Sequence, residues 1–204
     1  MKRFIYLLVI GFLMSAVVSC KDDEPVPPQP PTPVLPETLN HVVMLDMSVQ
    51  NNLSSFVYED LKEIEDSVNA IPLDCRVMVY VDKNYDYPKI YQYNVLGKKE
   101  VYSYQTEHVC TDSLVMVDVL QHIMKLSPAR SYSLVFWSHG SGWVPGKWYK
   151  QPLRTFGNDT GKEMEIPAMR WALEQFPQFR FIFFDACFMQ GLAVAYELKA
   201  RAPW

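Results

Sequence analysis

Four apolar blocks constrain the fold most: "HVVMLDM" at 41–47, "CRVMVYVD" at 75–82, "SYSLVFWS" at 131–138 and "FRFIFFDA" at 179–186. Each has the length and near-continuous apolarity of a strand buried on both faces. Between them lie segments with helical spacing. Residues 51–70 carry Leu53, Phe56, Val57, Leu61, Ile64 and Val68, and residues 112–126 follow Thr111 or Asp112 as a helix cap. Residues 163–176 tolerate Pro167 in a first turn, and 188–201 predict a last helix. Short strands at 89–95 and 100–104, turning at Gly97, predict a hairpin in a Tyr-rich stretch, and residues 144–162 read as a long polar loop. Strands alternating with helices specify an α/β sandwich with a mainly parallel sheet.

In such sheets the site lies at the carboxyl ends of the strands. Two loops qualify: His139-Gly140 after the third block, and Asp185-Ala186-Cys187 after the fourth. If those strands are parallel neighbours, both loops reach one edge. Cys187 is expected at the N-terminus of the final helix, where free N–H groups and the helix dipole would lower a thiol's pKa. A thiolate beside an imidazole is the kit for covalent acyl transfer. Gly140, lacking a side chain, would let a backbone N–H approach an oxyanion. Each part also has a plain reading: a buried small hydrophobe for Cys187, a satisfied strand-end residue for His139, and a helix N-cap for Asp185.

Other titratable residues form no motif. Cys75 lies in a strand pattern and is assigned to the core. His108-Val109-Cys110 could belong to a metal site, but no partner cluster is visible in the sequence. Asp46 could face the same edge as the two loops or cap one, and His41 and His122 stand alone. The four cysteines, 20, 75, 110 and 187, fit neither a zinc motif nor a dense disulfide framework.

The N-terminus reads as a targeting signal. Lys2 and Arg3 precede an uncharged apolar stretch from residue 4 to residue 18, too short for a comfortable membrane span. It ends in "VVSC", which resembles a bacterial lipobox. Residues 1–19 are thus expected to be a lipoprotein signal peptide, with Cys20 the lipidated first residue. Lys21-Asp22-Asp23-Glu24 resembles the surface-export tag of Bacteroidetes lipoproteins, and it also reads as a solvated spacer. "PVPPQPPTPVLP" at 25–36 holds seven prolines and predicts an extended, semi-rigid stalk, so residues 20–38 form an anchored linker. The expected location is the bacterial outer membrane, facing the cell exterior. The 204-residue chain has a formal net charge of −4 and no basic run beyond its first residues, which argues against a nucleic-acid partner.

Together, "LVFWSHGSGW" (134–143) and "FIFFDACFMQGLAVAYEL" (181–198) resemble the clostripain family of cysteine peptidases, relatives of caspases, legumains and gingipains. "NNL" at 51–53 and "SPARSYSLVFW" at 127–137 extend the likeness. The resemblance implies a three-layer α/β/α sandwich of the caspase-hemoglobinase type over residues 39–204. It implies Cys187 as nucleophile, His139 as donor of a proton to the leaving amine, and the N–H groups of Gly140 and Cys187 as oxyanion hole. Asp185 would attract the Arg or Lys side chain preceding the cut. The substrate is then a protein or peptide and the expected state a monomer. No metal or organic cofactor enters the chemistry, although calcium dependence occurs in clostripain. Lys147, Lys150 and Arg154 lie where related enzymes cut themselves, and they equally suit an ordinary exposed loop. The chain stops at residue 204, where the family continues into at least one more strand. The expected domain is therefore incomplete at its C-terminus, and the rival function is a non-catalytic peptidase-fold remnant acting as a binding domain. A third candidate is an enzyme hydrolysing a non-peptide amide.

Overall fold

The computed structural model describes residues 33–142 and 155–203. The signal peptide, Cys20, most of the proline-rich linker, and Lys147, Lys150 and Arg154 lie outside the described residues. In chain order the strands are β1 (His41–Val49), β2 (Cys75–Lys83), β3 (Lys89–Asn94), β4 (Gly97–Ser103), β5 (Tyr132–Trp137), β6 (Thr155–Asp159), β7 (Lys162–Glu165) and β8 (Ile182–Asp185). The α-helices are α1 (Val57–Asp66), α2 (Ser113–Leu126), α3 (Ile166–Glu174) and α4 (Leu192–Leu198).

One six-stranded sheet has the order β4-β3-β2-β1-β5-β8, and β6 and β7 form a separate hairpin. β2, β1, β5 and β8 run parallel, while β3 and β4 add an antiparallel margin. Successive strand side chains point to opposite faces. Val42, Met44, Met78, Tyr80, Leu134 and Phe136 therefore share a face, packed by α2, α3 and α4 through Met116, Leu120, Met169, Leu173 and Val194. Met47, Val79, Val81 and Tyr93 turn the other way, onto Val57 and Leu61 of α1. The result is the layered α/β/α sandwich. β8 is the edge strand, and Phe183 within it and Phe181 just before it remain 55% and 44% exposed.

Several boundaries differ from expectation for local reasons. The helix at 51–70 is broken into α1 flanked by 3₁₀ turns at Asn52–Ser55 and Val68–Ala70. The side chain of Asn51 caps the first turn by accepting from the Leu53 N–H. α2 begins as predicted, with Asp112 accepting from the Leu114 N–H. The polar segment 144–162 contains β6, and β7 follows it. Their short hairpin turns through Thr160 and Gly161, both at positive φ, the backbone that a tight two-residue turn requires. β7 also displaces the start of α3 to Ile166, with Pro167 in its first turn.

Candidate active site

β5 and β8 are parallel neighbours, paired from Leu134–Ile182 to Trp137–Asp185. Counting two residues beyond the last pair reaches His139 on one strand and Cys187 on the other. The two loops do meet. A Cβ placed on Gly140 would lie 2.5 Å from the Cys187 carbonyl oxygen and 2.9 Å from Met189 Cγ. Gly142, at φ +69°, passes Phe188 so closely that a Cβ there would lie 2.4 Å from its carbonyl oxygen. The glycines after His139 thus let one loop lie against the backbone of the other.

The histidine loop is clasped from behind by β6. Gly157 N–H donates to the His139 carbonyl at 2.8 Å, and Ser141 N–H to Thr155 O at 3.0 Å. Gly140 and Phe156 form an isolated antiparallel bridge. Ser138 Oγ donates to the Ser48 carbonyl, tying the end of β5 to β1. His139 Nε2 lies 2.7 Å from Asn52 Oδ1. An amide oxygen only accepts, so Nε2 carries the hydrogen and Nδ1 is the ring nitrogen left for chemistry.

Cys187 is exposed, in a turn spanning 187–190. The expected helix N-terminus lies elsewhere: Gly191 caps α4, which begins at Leu192. Helix-dipole effects fade within a turn, so they do not act on this sulfur as the sequence suggested. Phe188, at φ +60°, turns the chain away before the helix can start. Asp185 consequently caps no helix. It lies at a groove of about 430 Å³ walled by Leu45, Met47, Ile64 and Trp137, with Asp60 on the α1 side. Burial, and then the charges of Glu63, Asp185 and Glu59, push the Asp60 carboxyl above the usual range. Asp60 Oδ2 is buried without a hydrogen-bond partner among the described residues.

The remaining candidates lie apart from these loops. Asp46 is enclosed under the helical face, accepts from Ser48 Oγ, and is pushed up to about 6 by burial. His41 and Cys75 are register partners at the opposite end of the sheet, and Cys75 is half-buried rather than in the core. His122 packs on Tyr102. The sequence shows no companions for His108 and Cys110, but the fold supplies them. Asp82, Cys110 and Asp159 are all buried, with their ligating atoms within 4.8 Å of one another. Burial, followed by the Glu107 charge, raises Asp82 to about 7, and burial pushes the Cys110 thiol far up. Asn52 and Asp60 were not singled out from the sequence. Asn52 does follow the end of β1, at the edge where the carboxyl-end rule puts a site.

The clostripain family profile (Peptidase_C11) matches residues 46–204. Similar solved structures include a secreted C11 cysteine protease from Bacteroides thetaiotaomicron in complex with an irreversible peptide inhibitor. It is 34% identical, with a TM-score of 0.70, over 80% of this chain and 47% of that one. An inactive zymogen C11 protease from Parabacteroides distasonis is 26% identical with a TM-score of 0.69, over 83% of this chain and 48% of that one. A further secreted C11 cysteine protease from B. thetaiotaomicron shares the fold at a TM-score of 0.71 and 24% identity, over 82% of this chain and 51% of that one. The chain spans about half the length of these relatives. No curated protein sequence gives a significant match. The profile runs from within β1 through both loops, and the solved relatives share the fold over about four-fifths of the chain. The chain belongs to the clostripain family.

Proposed function

We propose that this chain carries the reactive dyad of a cysteine endopeptidase that cuts after Arg or Lys. The observation that carries the reading is the parallel register of β5 and β8, with the Gly140 loop lying against the Cys187 backbone. In this reading the Cys187 thiol passes its proton to His139 Nδ1, and the resulting thiolate attacks the carbonyl carbon, its electron pair forming the C–S bond. The displaced pair moves to the carbonyl oxygen, held by the N–H groups of Gly140 and Cys187. As the tetrahedral centre collapses, the C–N bond breaks and His139 gives the leaving amine its proton. Water then hydrolyses the thioester and restores the thiol. These steps use the chain's own groups.

The substrate preference rests on the groove beside Asp185. Apolar walls suit the methylene stem of Arg or Lys, and the carboxylates of Asp185 and Asp60 suit its charged end. The inhibitor bound to the B. thetaiotaomicron relative is itself a peptide. Residues 1–19 would direct export, and lipid on Cys20 would hold a monomeric domain at the outer-membrane surface on its proline stalk. The secreted relative at 34% identity supports an extracytoplasmic setting.

The test is cleavage of fluorogenic peptides ending in Arg, Lys or Asp, with Cys187→Ala as control. Turnover after Arg or Lys that vanishes in the variant supports the reading. Turnover after Asp would retain the dyad and discard the pocket assignment. Folded protein without turnover would favour the binding-domain alternative.

A further inference from the structure

Beneath the histidine loop lies a group of side chains that the peptidase chemistry does not use. Asp82 ends the buried run of β2, Cys110 precedes α2, and Asp159 closes β6. All three are buried, at 0%, 2% and 4% exposure. Buried carboxylates normally meet a cation or a full set of donors. Among the described residues, the sole basic group within ion-pair distance of the three is His108, whose Nε2 is 3.8 Å from Asp82 Oδ2. Asp159 is partly satisfied by the Cys110 N–H at 2.8 Å and the Thr160 hydroxyl at 3.1 Å. Asp82 receives the Tyr80 hydroxyl on Oδ2 at 3.1 Å, while its Oδ1 is buried with no hydrogen-bond partner among the described residues.

We propose that Asp82, Cys110 and Asp159 bind a borderline-soft divalent cation of the zinc class. A water would complete a four-coordinate shell, since His108 Nε2 already engages the Tyr80 hydroxyl at 2.5 Å. The ligating atoms lie within 4.8 Å of one another, and small side-chain rotations would close them on an ion with bonds of about 2.0–2.3 Å. A thiol among the ligands favours this class over calcium or magnesium, which take oxygen. Coordination releases the Cys110 thiol proton to solvent and forms the sulfur–metal bond. The ion would act structurally. It would fasten β6 to β2, and β6 is the strand whose Gly157 and Thr155 grip the His139 loop. This site stands independently of the peptidase reading.

The test titrates Co²⁺ into the full protein after native-state alkylation has blocked accessible thiols, which leaves buried Cys110 free. The expected result is one equivalent bound, an intense near-ultraviolet thiolate-to-cobalt band, bleaching by one equivalent of Zn²⁺, and a higher melting temperature with either metal. Cys110→Ala should abolish the band and Cys75→Ala should retain it. If Cys110→Ala fails to fold, Asp82→Asn and Asp159→Asn should each weaken Co²⁺ binding at least tenfold. Folded, alkylated protein that shows no band would overturn the site and leave the carboxyls to share a proton. A band that survives in folded Cys110→Ala, or unchanged affinity in both Asn variants, would overturn it equally.

Discussion

Asn52 Oδ1 accepts a hydrogen bond from His139 Nε2 at 2.7 Å, so a residue just after β1 fixes the tautomer of a histidine just after β5. Losing one neutral hydrogen bond costs about 1 kcal/mol net. Asn52→Ala should therefore lower kcat about five- to tenfold, leave KM nearly unchanged and preserve the circular dichroism spectrum. Steady-state kinetics on an Arg peptide decides it. An equal fall in a Cys187-independent property such as melting temperature, with kcat intact, would make the contact structural only.

The groove carboxylates should separate by role. Asp185→Asn removes a groove charge two residues before the proposed nucleophile, and charge-assisted hydrogen bonds contribute about 1.5–3 kcal/mol. The expected loss in kcat/KM is about 10- to 100-fold for Arg and Lys peptides, with little change for peptides of neutral residues. Asp60→Asn should reduce the same preference by a smaller factor. A selectivity profile untouched by Asp185→Asn would remove the pocket assignment.

Gly140 is required by a neighbour's backbone. A methyl group there meets the Cys187 carbonyl at 2.5 Å, and a peptide group cannot step aside as a flexible side chain does. Gly140→Ala should destabilise the fold by about 1–3 kcal/mol in chemical denaturation and abolish turnover. Wild-type stability and rate in this variant would contradict the observed loop packing.

Asp46 gives a pH signature. Its folded carboxyl titrates at about 6, above the unfolded value of about 4. Below pH ~4 both states hold the proton and Asp46 carries no electrostatic cost. Between about pH 4 and 6 the unfolded state ionises first, so stability falls as pH rises, and above that window the cost is constant. Asp46→Asn should thus be more stable than wild type at pH 7, by up to about 3 kcal/mol, with the gain gone near pH 4. Denaturant midpoints in the presence of chelator, taken across that range, would show it. A pH-independent difference would point to packing instead.

Thiol reactivity should follow exposure. Cys187 is exposed, while Cys110 is buried with its thiol held far above the ordinary range. Iodoacetamide under native conditions should label Cys187 and spare Cys110 until denaturant is added. Peptide mapping that finds the reverse order would contradict the burial pattern.

The sheet was legible because its strands are continuous apolar runs, and β5 and β8 are among the strongest, although β8 is an edge strand with one face exposed rather than buried on both. Their adjacency followed from the topology of parallel α/β sheets, and it brings the loop after β5 against the backbone of the loop after β8. The β6–β7 hairpin escaped notice because its strands are short and largely polar, with Phe156 and Met164 as the inward residues and a Thr-Gly turn as the one local cue. The start of α4 differs from the sequence pattern because the apolar helical spacing begins at Phe188, whereas that residue's left-handed backbone delays the helix to Leu192. Asn52 depends on a 3₁₀ turn, and Asp82, Cys110 and Asp159 meet only through tertiary pairing. No local periodicity encodes either.

The clasp between β6 and the histidine loop also bears on chain continuity. Ser141 and Thr155 are joined by hydrogen bonds on both backbone and side chain, so the two ends of the intervening stretch are already stapled to each other. A scission inside that stretch would yield two polypeptides still joined by hydrogen bonds at Ser141 and Thr155. Alignment of the histidine loop would then rest on those hydrogen bonds and on the Gly157 N–H held to the His139 carbonyl, with the Gly140 backbone still against Cys187.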